Sequence, residues 1–545
     1  MRVITFLSVL AATSMAALAQ TNTPLQFRPM SLEDCITVAL EQNFDIQYVR
    51  YNPLIARYTL AGSYGAYEPG LSLSGQHDYS LSPGGVDSEG RIYTGSEMDA
   101  NTVSAGLGGL LPWGTRYNLG GSASDRWGTT PALVMDRNTP VGFTTNYFTD
   151  LNGNQIGLIS TNYAVFLDRV PFENGSAQAG FVQLSQPLLK NFWIDAARYQ
   201  IFASKKNVKI REEEFRLQIM DTITRVEKAY FGLVYTEDSV KVQEKALELA
   251  ERLLAENKKR VEVGAMAPLD EKQAESQAAT SRAALLDAVA NRNTAMRYLK
   301  ELLSDDYTNE WANVAVVPTD RLLAIGQQYD LQESWRKGLA QNPGLVAKRL
   351  GLDTAKYNIR FQRNQLFPQL DLVGAYGFSG SGSEFSDTLG QVRRRDNPSW
   401  SFGAQVSIPL GQTAARNNLK AAKAAKEQLD VDLRRAEQLL LITIENDIGA
   451  AKASFEQVDA TRQARLYAEA ALEAEQKKLE NGKSTSFVVL QLQRDLTTAR
   501  ANEIKALADY NISLAQLAFD EGSTMERRNV ALDLRTLGTE KLDWK

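Results

Sequence analysis

The chain has one cysteine, Cys35, and one histidine, His77, among 545 residues. A single thiol excludes an intramolecular disulfide framework and a cysteine-based zinc site. A single imidazole excludes multi-histidine metal centres and leaves little room for histidine-dependent catalysis. No glycine loop, nucleophile elbow or metal cluster has the spacing such sites need, so no catalytic residue, metal or cofactor is expected. Charge of one sign is lacking too: 60 Lys and Arg against 65 Asp and Glu give a net charge of −5. That balance offers no electrostatic reason to expect nucleic acid as a partner. No segment beyond the N-terminus reaches the roughly 18–20 apolar residues of a membrane-spanning helix. With 43% hydrophobic and 23% charged residues, the chain is nevertheless composed to fold.

The N-terminus carries an export pattern. Arg2 precedes an apolar stretch that starts at Val3, and Ala17-Leu18-Ala19 gives a small-x-small cleavage site. Residues 1–19 therefore read as a secretory signal peptide cut after Ala19. Cys35 lies too far from that cut for a lipid-modified N-terminal cysteine. An exported chain of this kind is periplasmic, secreted, or a β-barrel of an outer membrane.

Glycine and proline are scarce in most of the chain and crowded in two zones. Twenty of the 37 glycines fall between Gly62 and Gly180 and seven between Gly374 and Gly411. No proline lies between Pro187 and Pro268 or after Pro409. Both residues are disfavoured in helix interiors, so long helices are expected to alternate with two non-helical zones. The helical stretches carry narrow apolar stripes: Ile219, Ile223, Val226, Tyr230 and Leu233, then Leu433, Ala436, Leu440, Ile444, Ile448, Ala451, Phe455 and Val458. This spacing suits helix-on-helix packing, and the Glu-, Lys-, Arg- and Gln-rich opposite faces read as solvated. In the glycine zones the period changes to two. Trp400, Phe402, Ala404, Val406, Ile408 and Leu410 alternate with small or polar residues, as do Leu71 and Leu73, and Tyr117, Leu119, Gly121 and Ala123. Strands of about 9–11 residues with one apolar and one small polar face suit a transmembrane β-barrel, although a soluble sandwich gives the same alternation.

The chain also repeats itself. Residues 32–80 align with 331–379 at a constant offset without a gap, giving 12 identities that include Leu40/Leu339, Asn43/Asn342, Ala56/Ala355, Tyr58/Tyr357, Pro69/Pro368, Leu71/Leu370 and Gly75/Gly374. Gln183-x-Ser185-x-Pro187-Leu188 corresponds to Gln405-x-Ser407-x-Pro409-Leu410. Lys259-Arg260-x-x-x-Gly264 corresponds to Lys477-Lys478-x-x-x-Gly482. Each copy predicts a helix (about 31–67 and 330–367), strands, a long helix, a glycine turn and a return helix (about 265–303 and 483–519). A long arm of this kind reaches roughly 110 Å as a helix. A short helix from each end then suffices to cover one long arm.

This order resembles the TolC-like outer-membrane efflux proteins. The local signatures are Ser31-Leu32-Glu33-Asp34 through Ala39-Leu40-x-x-Asn43, Gln-Pro-Leu-Leu at 186–189 and Ser-x-Pro-Leu at 407–410. The resemblance covers almost the whole mature chain. It implies an α+β membrane protein of two structural repeats, whose strands join a trimeric outer-membrane β-barrel and whose antiparallel helices form a periplasmic α-helical barrel. The implied division is 1–19 signal peptide, 20–303 first repeat (strands about 70–187), 304–330 linker, 331–520 second repeat (strands about 368–410) and 521–545 C-terminal periplasmic tail. It further implies a homotrimer in outer-membrane lipid, partnered by a periplasmic adaptor and an inner-membrane transporter. The implied function is passive conduction in tripartite efflux or type I secretion, with no enzymatic activity. A periplasmic coiled-coil scaffold with a soluble adhesive domain is the alternative. The first repeat departs from the family's simplest pattern: Pro69 to Pro187 is far longer than Pro368 to Pro409. The excess holds strand-like stretches at about 102–110 and 116–124, joined by a turn at 111–115, and polar loops at 81–100 and 126–176.

The resemblance places adaptor docking at the helix-turn tips, here Val263, Gly264, Ala265 and Pro268, and Asn481, Gly482, Lys483, Ser484 and Thr485. An ordinary glycine cap between helices is the competing explanation. The acidic residues that line the closed pore in a well-studied relative correspond to Val488 and Gln491, so that ring is absent or moved. Asp270 is the alternative pore or gate charge, or simply a solvated helix residue. Arg393-Arg394-Arg395 is expected in an outer loop, solvated or facing lipopolysaccharide phosphates. His77 is expected in a strand with no special role.

Overall fold

The computed structural model describes residues 26–86, 88–264 and 266–531; the expected signal peptide and most of the expected tail lie outside them. The chain divides into a helical unit (26–58, 206–353 and 427–531) and a sheet unit (59–205 and 354–426).

In the helical unit, strand β1 (Gln26–Met30) pairs in parallel with β8 (Val314–Pro318), within the stretch expected to be a linker. Helix α1 (Leu32–Gln42) starts from a capping box. The Ser31 side chain accepts the Asp34 amide at 3.2 Å and the Asp34 carboxylate accepts the Ser31 amide at 2.9 Å, which satisfies two otherwise orphaned donors. Asp320 accepts the Leu32 amide at 2.8 Å and the Tyr230 hydroxyl at 3.0 Å, tying the end of β8 to the helices.

The single helices expected at about 31–67 and 330–367 are each broken. Helix α1 is followed by α2 (Phe44–Ser63), and α5 (Leu331–Gln341) by α6 (Pro343–Asn364). The breaks fall on Asn43 and Asn342, both with extended backbone. Each asparagine side chain accepts amides of the following turn: Asp45 and Ile46 in one case, Gly344 and Leu345 in the other. An asparagine that caps the next helix cannot also continue the previous one.

Two long helices dominate: α3 (Ala196–Glu262, 67 residues) and α8 (Thr413–Glu480, 68 residues). Each turns back into a return helix, α4 (Pro268–Leu303) and α9 (Ser486–Asp520). The predicted stripe of α3 is buried throughout, with Val226, Tyr230 and Leu233 at 0% exposure, and packs against Cys35, Ile36, Leu299, Leu302 and Trp311. From α8, Ile444, Ile448, Ala451 and Val458 are buried, two of them against Tyr510 and Leu514 of α9. Phe455 of the same stripe stays 39% exposed. The short helix α10 (Thr524–Arg527) follows α9 and is anchored by Arg528, which donates to the fully buried Glu227.

In the sheet unit, six antiparallel strands lie in the order β10-β9-β7-β6-β5-β2. They are β2 (Gly70–Leu81), β5 (Glu97–Leu110), β6 (Arg116–Thr149), β7 (Gln155–Pro187), β9 (Gln369–Gly382) and β10 (Pro398–Ser407). A two-residue ladder, β3 (Gly85–Val86) with β4 (Ile92–Tyr93), decorates the β2–β5 connection. His77 lies in β2, as expected. β10 stops at Ser407 rather than Leu410, since Pro409 has no amide to donate.

The segment 126–176 is not a polar loop. Beyond Thr129, β6 and β7 continue as a two-stranded ribbon to a turn in which Asp150 accepts the amides of Asn152 and Asn154 at 2.9 and 2.8 Å. Threonine, asparagine, glycine and proline give this stretch a loop-like composition. Ladder hydrogen bonds from a partner strand override it. The arginine cluster is likewise not in a loop: Arg393 and Arg394 close helix α7 (Phe385–Arg394) and Arg395 is its left-handed cap. Helix α7 lies so close to the sheet that a Cβ on Gly380 would come within 2.4 Å of the Thr388 carbonyl oxygen.

Candidate functional site: the two helix-turn tips

Both tips are built on a glycine in the left-handed region, Gly264 at φ 73° and Gly482 at φ 71°. Gly264 donates to the Val261 carbonyl at 2.9 Å; Gly482 donates to Leu479 at 3.1 Å and Lys483 to Lys478 at 2.8 Å. These bonds satisfy the last carbonyls of α3 and α8 and reverse the chain within a few residues. Pro268 then opens α4, where its fixed φ suits a first helical turn. Thr485 precedes α9 without a side-chain cap. Ala265 lies outside the described residues.

The second tip is also held by its side chains. Ser484 donates to Glu475 at 2.5 Å and Lys478 pairs with Glu475 at 2.8 Å. The Lys478 ammonium and the Ser484 hydroxyl hold the Glu475 carboxyl below its ordinary range.

The two tips form one body. Leu253 of α3, Leu472 and Leu479 of α8, and Val489, Leu490 and Leu496 of α9 are buried together, with Met266 packed against them. Above this cluster sits a contact that the sequence did not reveal. Asn257 of α3, 1% exposed, accepts the hydroxyl of the fully buried Ser486 at 3.1 Å and donates to the Asp270 carbonyl at 3.4 Å. One asparagine thus clasps α3, α4 and α9. Its only sequence signal is an amide inside the otherwise charged run Glu256-Asn257-Lys258-Lys259-Arg260.

Around this body apolar side chains stand exposed beside the exposed Glu262, Asn481 and Lys483. Val263, Leu269, Phe487 and Val488 are exposed by 77%, 66%, 56% and 40%. Contiguous exposed apolar surface marks interaction sites, whereas single exposed apolar side chains are ordinary. A cavity of about 420 Å³ runs between α4 and α9, where Arg494 bridges to Gln277 at 2.8 Å. A smaller one of about 130 Å³ lies between α3 and α8 beside Arg252, Glu256 and Glu480.

The expected gate positions lie on two return helices. Val488 and Gln491 are exposed on α9 on either side of the buried Val489 and Leu490, and Asp270 lies in the first turn of α4, where a carboxylate favours the helix N-terminus. Among the described residues no cluster of three or more His, Cys, Asp or Glu could hold a metal ion, and no helix is long and apolar enough to cross a membrane.

The chain thus combines a duplicated order of elements, an antiparallel sheet and paired helical hairpins that end in compact tips. The outer membrane efflux protein family matches residues 169–304 and 336–520. The chain belongs to that family, a family of outer-membrane channels and not of enzymes. It is an outer-membrane protein with a periplasmic extension. The outer membrane protein TolC of Vibrio cholerae is 26% identical over 362 residues, 66% of this chain and 80% of that protein. The alkaline protease secretion protein AprF of Pseudomonas aeruginosa is 24% identical over 325 residues, 57% of this chain and 64% of that protein. In fold the chain is similar to the Campylobacter jejuni CmeC outer membrane channel, with a TM-score of 0.61 at 14% identity, covering 93% of this chain and 90% of that one. The family match starts at residue 169, so β2, β5 and β6 precede it.

Proposed function

We propose that three copies of this chain form the outer-membrane conduit of a tripartite efflux or type I secretion system. The conduit passively conducts cargo handed over by an inner-membrane transporter through a periplasmic adaptor. The observation that supports this reading best is the six-stranded sheet, in which an apolar row on one face backs a row of small or polar residues on the other, with the two edges unpaired among the described residues. In hydrocarbon an open edge carries unsatisfied amides and carbonyls, so such a sheet calls for closure with further copies. The two repeats, 20–303 and 331–520, then supply the wall of the barrel and the walls of a helical tunnel.

Adaptor docking is assigned to the tips, Val263, Gly264, Ala265 and Pro268 with Asn481, Gly482, Lys483, Ser484 and Thr485. Exposed Val263, Leu269 and Phe487 supply the apolar contact. Asp270, Val488 and Gln491 remain the proposed pore-side positions, and opening is a repacking of the tip helices rather than a chemical step.

The test is fractionation with the outer membrane together with heat-modifiable migration as a trimer; a soluble monomeric mature protein overturns the reading. For the docking site, Val263→Cys and Lys483→Cys are the probes, since cysteine at Gly264 or Gly482 would strain a left-handed backbone. Capture of a periplasmic adaptor by either cysteine supports the assignment, and no capture from either tip removes it.

A further inference from the structure

The extra β5–β6 hairpin of the first repeat is either part of the barrel wall or an appendage on it. Its register decides. β5 is hydrogen-bonded to β2 along 70–81 and 97–108 on one side, and to β6 along 97–110 and 116–129 on the other. β6 in turn pairs with β7. The hairpin is therefore inserted between β2 and β7 and separates them in the sheet.

Over Gly70–Gly75 and the strand segments paired with them, its side chains also keep the sidedness of the sheet; at the row His77, Asn101 and Asp125 the apolar face turns polar. One row of cross-strand partners runs Leu71, Leu107, Leu119, Val182, Tyr376 and Trp400, apolar on all six strands. The adjacent row, on the opposite face, runs Gly70, Gly108, Asn118, Gln183, Ala375 and Ser401, small or polar on all six. A one-residue slip or a detached hairpin would break both rows. The two open edges belong to β2, with 12 residues, and β10, with 10, lengths suited to crossing a bilayer. An even number of strands leaves them antiparallel, so β10 of one copy can pair with β2 of the next.

We infer that this barrel is closed by β2–β10 pairing between copies and has eighteen strands, with the β5–β6 hairpin in its wall. The inference rests on the trimeric conduit proposed above. With strands about 4.8 Å apart and tilted about 40°, eighteen strands enclose about 36 Å between backbones, against about 24 Å for twelve. The inward face of the added hairpin carries Gly106, Ser104, Gly120 and Ser122, which take up little of that width. The outer-membrane segment is thus a wide hydrated passage, and size selection falls to another part of the conduit.

The test is thiol labelling of the full chain in outer membranes, in a Cys35→Ala background because Cys35 is fully buried. Ser104→Cys and Ser122→Cys should react with a charged, water-soluble maleimide at least tenfold faster than Val103→Cys and Leu119→Cys. A lipid-soluble maleimide should reverse that order. Paired Ser74→Cys and Gln405→Cys, on the two edge strands, should give bismaleimide-linked dimers and trimers. Equal aqueous labelling of all four hairpin positions in an intact heat-modifiable trimer overturns the eighteen-stranded wall and leaves the conduit standing. Loss of the trimer in the unsubstituted protein overturns the conduit itself.

Discussion

The side-chain amide of Asn43 donates to the carbonyl of Leu302 at 2.9 Å, across 259 residues of chain. In the second repeat Asn342 makes the corresponding bond to Asp520 at 3.4 Å. Each asparagine thus caps one helix with its oxygen and holds the end of a return helix, α4 or α9, with its nitrogen. Asn43→Ala removes a cap and leaves a buried carbonyl unpaired. A loss of about 2–3 kcal/mol is expected for Asn43, which is 4% exposed, and a smaller one for the less buried Asn342. Thermal melting followed by helical circular dichroism should show the larger drop for Asn43→Ala; equal or absent drops contradict the assigned roles.

Arg528 and Glu227 form a more demanding pair. Glu227 is 1% exposed, and Arg528 donates to its Oε1 while Oε2 is buried without a hydrogen-bond partner among the described residues. Beside it, burial holds the Arg527 guanidinium below its ordinary range, and its Nη1 donates to the Leu514 carbonyl at 2.8 Å. Arg528→Ala leaves a buried carboxylate uncompensated, at a cost of about 3–5 kcal/mol. Release of the α10 segment should appear as new proteolytic cleavage after Thr524. The double variant with Glu227→Gln should recover much of the loss, and failure to recover would show that the arginine acts through packing alone.

Asp447 of α8 supplies a pH dependence. Burial, then the neighbouring carboxyl of Asp520, push its pKa up to about 7, with Lys228 opposing the shift. A carboxyl raised on folding takes up a proton that the unfolded chain gives up near pH 4. Its penalty is absent below about pH 4, grows as pH rises, and is complete above about pH 7. Asp447→Asn should therefore stabilise the protein at pH 8 and change little at pH 4. Thermal midpoints at the two pH values check this; an equal effect at both would rule out titration as the cause.

The Asn257 clasp predicts a local effect. Asn257→Ala unpairs the buried Ser486 hydroxyl and should cost about 1–3 kcal/mol. Hydrogen exchange should rise at residues 253–275 and 483–493 and stay unchanged around Tyr230. Ser486→Ala should raise exchange less, since Asn257 keeps its bond to Asp270. Uniform loss of protection would mean that the tips are not a separate cooperative unit.

Much of this architecture is legible in the sequence. The stripe from Ile219 to Leu233, the alternation of Trp400–Val406 and the caps at Gly264 and Gly482 are local patterns, each written in residues a few positions apart. The duplication was legible for the same reason, because a repeat preserves local patterns at a constant offset. Even Asn43 and Asn342 stood out as a matched pair, although their spacing alone did not reveal that they interrupt a helix.

What stayed hidden depends on partners distant in the chain. Residues 126–176 have the composition of a loop and become strands because β6 and β7 satisfy each other's backbone. Arg393–Arg395 became a helix end where α7 found a seat against the sheet over Gly380. The Asn257–Ser486 clasp and the Glu227–Arg528 pair join residues more than 200 positions apart, and no periodicity encodes them. Period and capping settle what each segment becomes, because those energies are local. Which strand lies beside which, and hence that the β5–β6 hairpin belongs within the sheet, is settled only when hydrogen bonds and burial are satisfied across the whole fold.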